Sequence, residues 1–151
     1  MVKGVAKTSK SVTEVFSESN NLDAEKIWEN DIVKFWFEEG ILHSQFKARI
    51  DISIDTIKEL IALRHTISDK KKQYWCYDLT HIQFFSKEAM HYTEIHGQDY
   101  LHATAAVVKS HVAKFIFNWF SKFKEAKIPL QAFTCKEKAV TWLKELRKET
   151  G

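Results

Sequence analysis

Glycine is scarce in this chain, with four residues in 151, at positions 4, 40, 97 and 151. So scattered, they cannot build a phosphate loop or a dinucleotide fingerprint, because both need glycines a few residues apart for the backbone to approach a phosphate. Nucleotide hydrolysis is disfavoured. Cysteine is also rare: Cys76 and Cys135 lie far apart, with no CxxC or other ligand spacing. That predicts reduced, structural thiols and no disulfide. Charge of one sign is missing too, since 23 Lys and Arg nearly balance 20 Asp and Glu, for a net +3. The basic residues are mixed among acidic ones, so bulk electrostatics does not ask for nucleic acid. No uncharged apolar run is long enough for a signal peptide or a membrane span, which makes a cytoplasmic protein the expectation. A single proline, together with five Trp, four Tyr and eleven Phe, argues against disorder over most of the chain.

What is present is an ordinary core, with 44% hydrophobic and 28% charged residues, enough for one compact domain. Residues 1–21 are rich in Ser, Thr, Lys and Asn and read as a flexible tail, leaving 22–151 as a single domain. Residues 22–30 suit a short helix anchored by Leu22, Ile27 and Trp28. Two apolar runs, 32–37 and 41–46, flank Glu38-Glu39-Gly40 and predict an antiparallel hairpin. Ser53 then caps a helix whose Ile57, Leu60, Ile61 and Ile67 recur at helical spacing until Ser68-Asp69-Lys70-Lys71-Lys72 interrupts it.

Tyr74-Trp75-Cys76-Tyr77 reads as a central strand buried on both faces, with Asp78 at its carboxyl end. Ser86 is placed to cap a helix over 87–97, and residues 103–108 read as another inner strand. The clearest helix covers 111–126, where Val112, Phe115, Ile116, Trp119, Phe120 and Phe123 form an apolar stripe. A last strand follows Pro129, and Thr134 with Glu137 makes a capping box for a terminal helix buried through Ala139, Val140, Leu143 and Leu146. The fold class is therefore α/β: a mixed sheet that starts with a β-hairpin and continues with alternating helices and strands, β-β-α-β-α-β-α-β-α.

Residues that carry chemistry are few. His91, Glu94 and His96 resemble a metal cluster, yet a five-residue spacing puts the two His rings on different sides of one helix, so no metal site and no cofactor is expected. Asp78 with His81 or His102 is the one acid–base pairing available if the fold brings them together. Cys76 sits in an apolar strand, where a thiol behaves as a small hydrophobe. Lys109, His111, Lys114, Lys122, Lys124 and Lys127 place positive charge around the 111–126 helix. Phe117 falls off its stripe, near Ala113 and Lys124, on a face open to a partner.

The segment Asp78-Leu79-Thr80-His81-Ile82-Gln83-Phe84 resembles the Asp-Leu-Ser-x-Val-x-Phe segment of STAS domains, the anti-sigma-factor-antagonist-like family. Phe133-Thr134 with Glu137, Ala139, Trp142 and Leu143 is similar to the terminal helix of its uncharacterised bacterial STAS/SEC14-like members. The resemblance covers roughly residues 31–146. It implies a STAS-like fold and a small non-enzymatic switch or binding module, which in regulatory members is phosphorylated at a Ser just past this strand and docks onto a kinase-like partner. This chain departs from that pattern: Ser86 falls at the family's Asp position and Lys87 at its phosphorylated Ser. Ser86 at a helix start remains the hydroxyl where a phosphate would be stabilised.

The functional expectation is a cytosolic regulatory or protein-interaction module that works without enzymatic activity, with Asp78, Thr80, His81, Ser86, Lys87 and Phe117 as its contact residues. A protein partner or a second copy of the chain is the expected occupant. One alternative is a carrier or sensor of a small anionic or lipid-like ligand. Another is a small enzyme using Asp78 and a histidine.

Overall fold

The computed structural model describes residues 13–16, 26–111, 113–114 and 127–150. Its first half is antiparallel. Strands β1 (Thr13–Phe16), β2 (Lys26–Glu29), β3 (Val33–Glu38) and β4 (Ile41–Phe46) pair in sequence order, each antiparallel to the last. β3 and β4 are the expected hairpin. Their two-residue turn has both central residues at positive φ, Glu39 at 54° and Gly40 at 81°, the geometry whose twist matches that of the flanking strands. Residues 26–29 form a strand where a short helix was expected. Ile27 pairs with Trp36 and Trp28 with Phe35, so their β-branched and aromatic side chains serve opposite faces of a sheet, and neighbouring β3 decides the matter. The strand β1 arises from a stretch whose composition reads as tail.

The second half is parallel. After β5 (Ile50–Ile52) and helix α1 (Ile54–Ser68) come β6 (Gln73–Asp78), β7 (Ile82–Phe85), helix α2 (Lys87–His96), β8 (Leu101–Val107), β9 (Leu130–Phe133) and a terminal helix, α3 (Lys136–Thr150). β4, β6, β8 and β9 run parallel, giving a seven-stranded sheet in the order β1-β2-β3-β4-β6-β8-β9, while β5 and β7 form a separate parallel pair. A hairpin leading into parallel strands interleaved with helices is the mixed α/β arrangement that the sequence pattern predicts. The described start of the next helical stretch is capped by Ser110, whose Oγ accepts from Ala113 N at 3.1 Å. The rest of the expected 111–126 helix lies outside the described residues.

The alternation within β6 explains the layering. Trp75 points to a core shared with Phe35, Leu42, Ile57, Leu60 and Ile61, under α1. Tyr74 and Cys76 point to the opposite core with Ala103, Ala105, Ala139 and Leu143, under α3. The alanines of β8 keep the sheet low there, so α3 packs closely through its own Ala139. Caps follow expectation for two helices: Ser53 Oγ accepts from Thr56 N at 3.2 Å, and Ser86 Oγ from Ala89 N at 3.0 Å. The terminal helix starts one residue later than the capping box places it. Its first intrahelical bond runs from Ala139 N to the Cys135 carbonyl at 3.2 Å, and Cys135 Sγ donates to Glu137 Oε1 at 3.0 Å.

Candidate functional site

Asp78 ends β6 at the carboxyl edge of the parallel strands, where open α/β sheets place ligands. Its Oδ1 accepts from the backbone N–H of Thr80 at 2.8 Å and from the Thr80 hydroxyl at 2.6 Å, so the acid closes its own turn. Thr80 Oγ1 also lies 3.2 Å from His81 Nδ1. The hydroxyl has one proton, already given to Asp78, so toward His81 it can only accept. A proton on His81 Nδ1 satisfies that contact, and in the neutral ring this tautomer leaves Nε2 as the acceptor. A carboxylate, a hydroxyl and an imidazole thus form one oriented chain able to accept a proton at Nε2.

His81 also lines a cavity of about 340 Å³ with Ile27, Glu29, Lys34, Gln45, Phe46 and Lys47. The register explains this neighbourhood, because Gln45 stands opposite Asp78 across the β4–β6 pair and Lys34 opposite Gln45 across the hairpin. Lys47 forms an ion pair with Glu29, and Lys34 Nζ lies 5.5 Å from the Trp36 ring centre.

The segment after His81 holds a strand as well as a turn. β7 pairs with β5, and Ser86 N donates to the Ile52 carbonyl at 3.0 Å, which ties the start of α2 to that pair. This leaves Phe84 61% exposed and Met90 39% exposed, two apolar side chains on either side of exposed Lys87. With the Gln83 amide oxygen turned toward it, Arg49 donates to that oxygen through Nε and Nη2 at 3.3 and 3.0 Å, next to Phe84 in sequence. The sequence pattern singles out Lys87 and Ser86 here and misses Phe84 as a contact residue. Phe117 lies outside the described residues.

His102 does not meet Asp78. It sits at the start of β8, level with Gln73 and Tyr74, and stacks on Tyr74 with ring centres 4.9 Å apart. The length of β6 separates it from Asp78 by roughly 15 Å. His91 and His96 diverge along α2 as their spacing predicts: His91 faces Glu94 at 3.9 Å, and His96 packs on Tyr92 at 4.5 Å. Among the described residues no three His, Cys, Asp or Glu converge to hold a metal ion, and no helix is long and apolar enough to cross a membrane. Burial pushes the Cys76 thiol up to about 12, which keeps it protonated and inert at neutral pH.

The family described as Domain of unknown function (DUF7793) matches residues 35–147, most of the chain. The chain belongs to the DUF7793 family. In this DUF7793 protein the match begins within β3 and runs into α3, so it takes in Asp78, Thr80, His81, Ser86 and Lys87, while β1 and β2 lie outside it. Among solved structures the chain is similar to an uncharacterized protein of the DUF3478 family with a SpoIIAA-like fold, from Shewanella loihica PV-4. The two share 14% identity over 88% of this chain and 94% of that one, with a TM-score of 0.49. No curated protein matches the chain.

Charge buried away from the Asp78 edge completes the electrostatic picture of this DUF7793 domain. Arg64 of α1 is fully buried, with its guanidinium 4.9 Å from the Trp75 ring centre. Nη2 donates to the carbonyls of Gly97 at 3.2 Å and Asp99 at 2.8 Å, so a cation closes the carboxyl end of α2. Among the described residues Nε and Nη1 have no hydrogen-bond partner, and burial lowers its pKa to about 10, still charged at neutral pH. Its position was open to inference, because residue 64 follows Leu60 and Ile61 by four and three and so shares their face.

Proposed function

We propose that this protein is a non-enzymatic regulatory module that acts by binding another protein through the surface formed by β7 and the start of α2. The observation that carries this reading is Phe84, a large aromatic left 61% exposed in the segment that resembles the STAS contact region. Fixing an apolar ring in water on ordered backbone has no folding benefit, and such residues mark interaction sites when others lie nearby. Met90 supplies a second exposed apolar group, exposed Lys87 lies between the two in sequence, and Asp51 stands opposite Phe84 across the β5–β7 pair. The partner that fits is a protein presenting an apolar patch with a polar rim. Asp78, Thr80 and His81 then have a supporting role, since their mutual hydrogen bonds hold the turn from which β7 emerges.

Quantitative affinity enrichment from native cells, comparing the natural chain with Phe84→Ser, tests this. A stoichiometric partner retained by the natural chain and lost by the variant, with the melting temperature unchanged, supports the reading. Self-association lost in the same variant would replace the foreign partner with a second copy. Identical retention by both chains would overturn the assignment of this surface.

A further inference from the structure

The larger cavity lies at the opposite, amino-terminal edge of the parallel strands. About 460 Å³ in volume, it is bounded by the α1–β6 connection, the β3–β4 turn and the last turns of α3. Lys71, Lys72 and Arg147 bring positive charge to it, against the carboxylate of Asp69 in its wall and that of Glu39, which Lys144 first and Arg147 as well hold low. Arg147 is fixed there, because its Nη1 donates to the Glu39 carbonyl at 2.7 Å. One wall is aromatic. Tyr74 and His102 stack at 4.9 Å with their planes 24° apart, and Tyr74 is buried while His102 is exposed, so the outer imidazole face is open. Gln73 adds a polar residue to the lining.

We propose that this cavity binds a small organic phosphate carrying a planar ring. Its phosphate would rest among Lys71, Lys72 and Arg147, and its ring on the outer face of His102. Cations gathered around a concave site favour a dianion, and a flat π surface favours a ring over a bare ion. A monoanionic or purely aliphatic ligand would use only part of this set. The site is independent of the Phe84 surface and stands or falls separately from it.

The test is a titration of the full-length, ¹⁵N-labelled protein with phenyl phosphate, followed by amide shifts, with inorganic phosphate and glycerol phosphate in parallel. Saturable shifts at residues 71–74 and 102, with a Kd on the order of 1 mM or tighter, are expected. Lys71→Ala with Lys72→Ala, both exposed and outside the core, should weaken phenyl phosphate about tenfold or more. His102→Ala should weaken phenyl phosphate about fivefold while leaving inorganic phosphate unchanged. Absence of saturation at about 10 mM, a limit that excludes millimolar affinity, would overturn the proposal. So would equal binding by the double lysine variant, or equal affinity for phenyl and inorganic phosphate.

Discussion

Acidification should weaken this fold in a window set by one buried histidine. His43 in β4 is 3% exposed and stacks flat on Trp36, with ring centres 5.4 Å apart and planes 11° apart. Desolvation, with Lys136 adding to it, lowers its pKa from 6.5 to about 4; Glu38 opposes the shift and Lys144 assists it. Above pH 6.5 neither the folded nor the unfolded chain protonates this ring. Between 6.5 and about 4 only the unfolded chain does, so stability is complete above 6.5 and declines as pH falls. At 1.36 kcal/mol per pH unit the loss reaches about 3 kcal/mol at the low end. His65, lowered by burial and by Arg64, acts in the same direction. Urea unfolding at pH 7.5, 6.5, 5.5 and 4.5 measures the slope, and His43→Phe, which keeps a ring against Trp36, should remove about one proton from it. Two results would refute the reasoning: an imidazole at position 43 that titrates near 6.5 by NMR, or a variant whose pH slope equals that of the natural chain.

Arg64→Met should lower stability by about 1–3 kcal/mol in urea unfolding, since two carbonyls at the end of α2 lose a charged donor while two unpaired N–H groups are relieved. An unchanged midpoint would mean that water caps that helix equally well. Gly40→Ala should cost about 1–2 kcal/mol, because φ is +81° there and an added Cβ would approach Arg147 Nη1 to 2.9 Å. Its midpoint in urea should fall together with loss of the Arg147 contact to the Glu39 carbonyl.

How far the chain could be read before its structure depended on whether a signal was local. The β3–β4 hairpin was legible because two alternating runs meet at Glu39 and Gly40, and both helix caps at Ser53 and Ser86 were legible because a cap is a contact over three residues. β2 and β7 were not. Each is four residues long and held by a partner strand, β3 or β5, that local propensity cannot reveal. The same limit governs the sites. Asp78, Thr80 and His81 are joined by bonds spanning one or two residues and were read as one turn, whereas His102 is assigned to its own edge of the sheet only by the β6–β8 register. The run Lys70-Lys71-Lys72 is visible as a helix stop. That Arg147 faces the same cavity follows from tertiary packing and from nothing nearby in sequence.

The seven-stranded sheet closes on each side with a strand of four residues, β1 at one margin and β9 at the other. Among the described residues each margin has no further strand, and its edge is roughly 13 Å long at about 3.3 Å per residue. A foreign chain recruited by either would gain only a short ladder before running into connecting segments. The long, strongly apolar strands, β6 and β8, are enclosed between other strands on both sides. Resistance to fibril-like stacking is therefore built into the strand order itself, and should persist as long as β4, β6, β8 and β9 stay together.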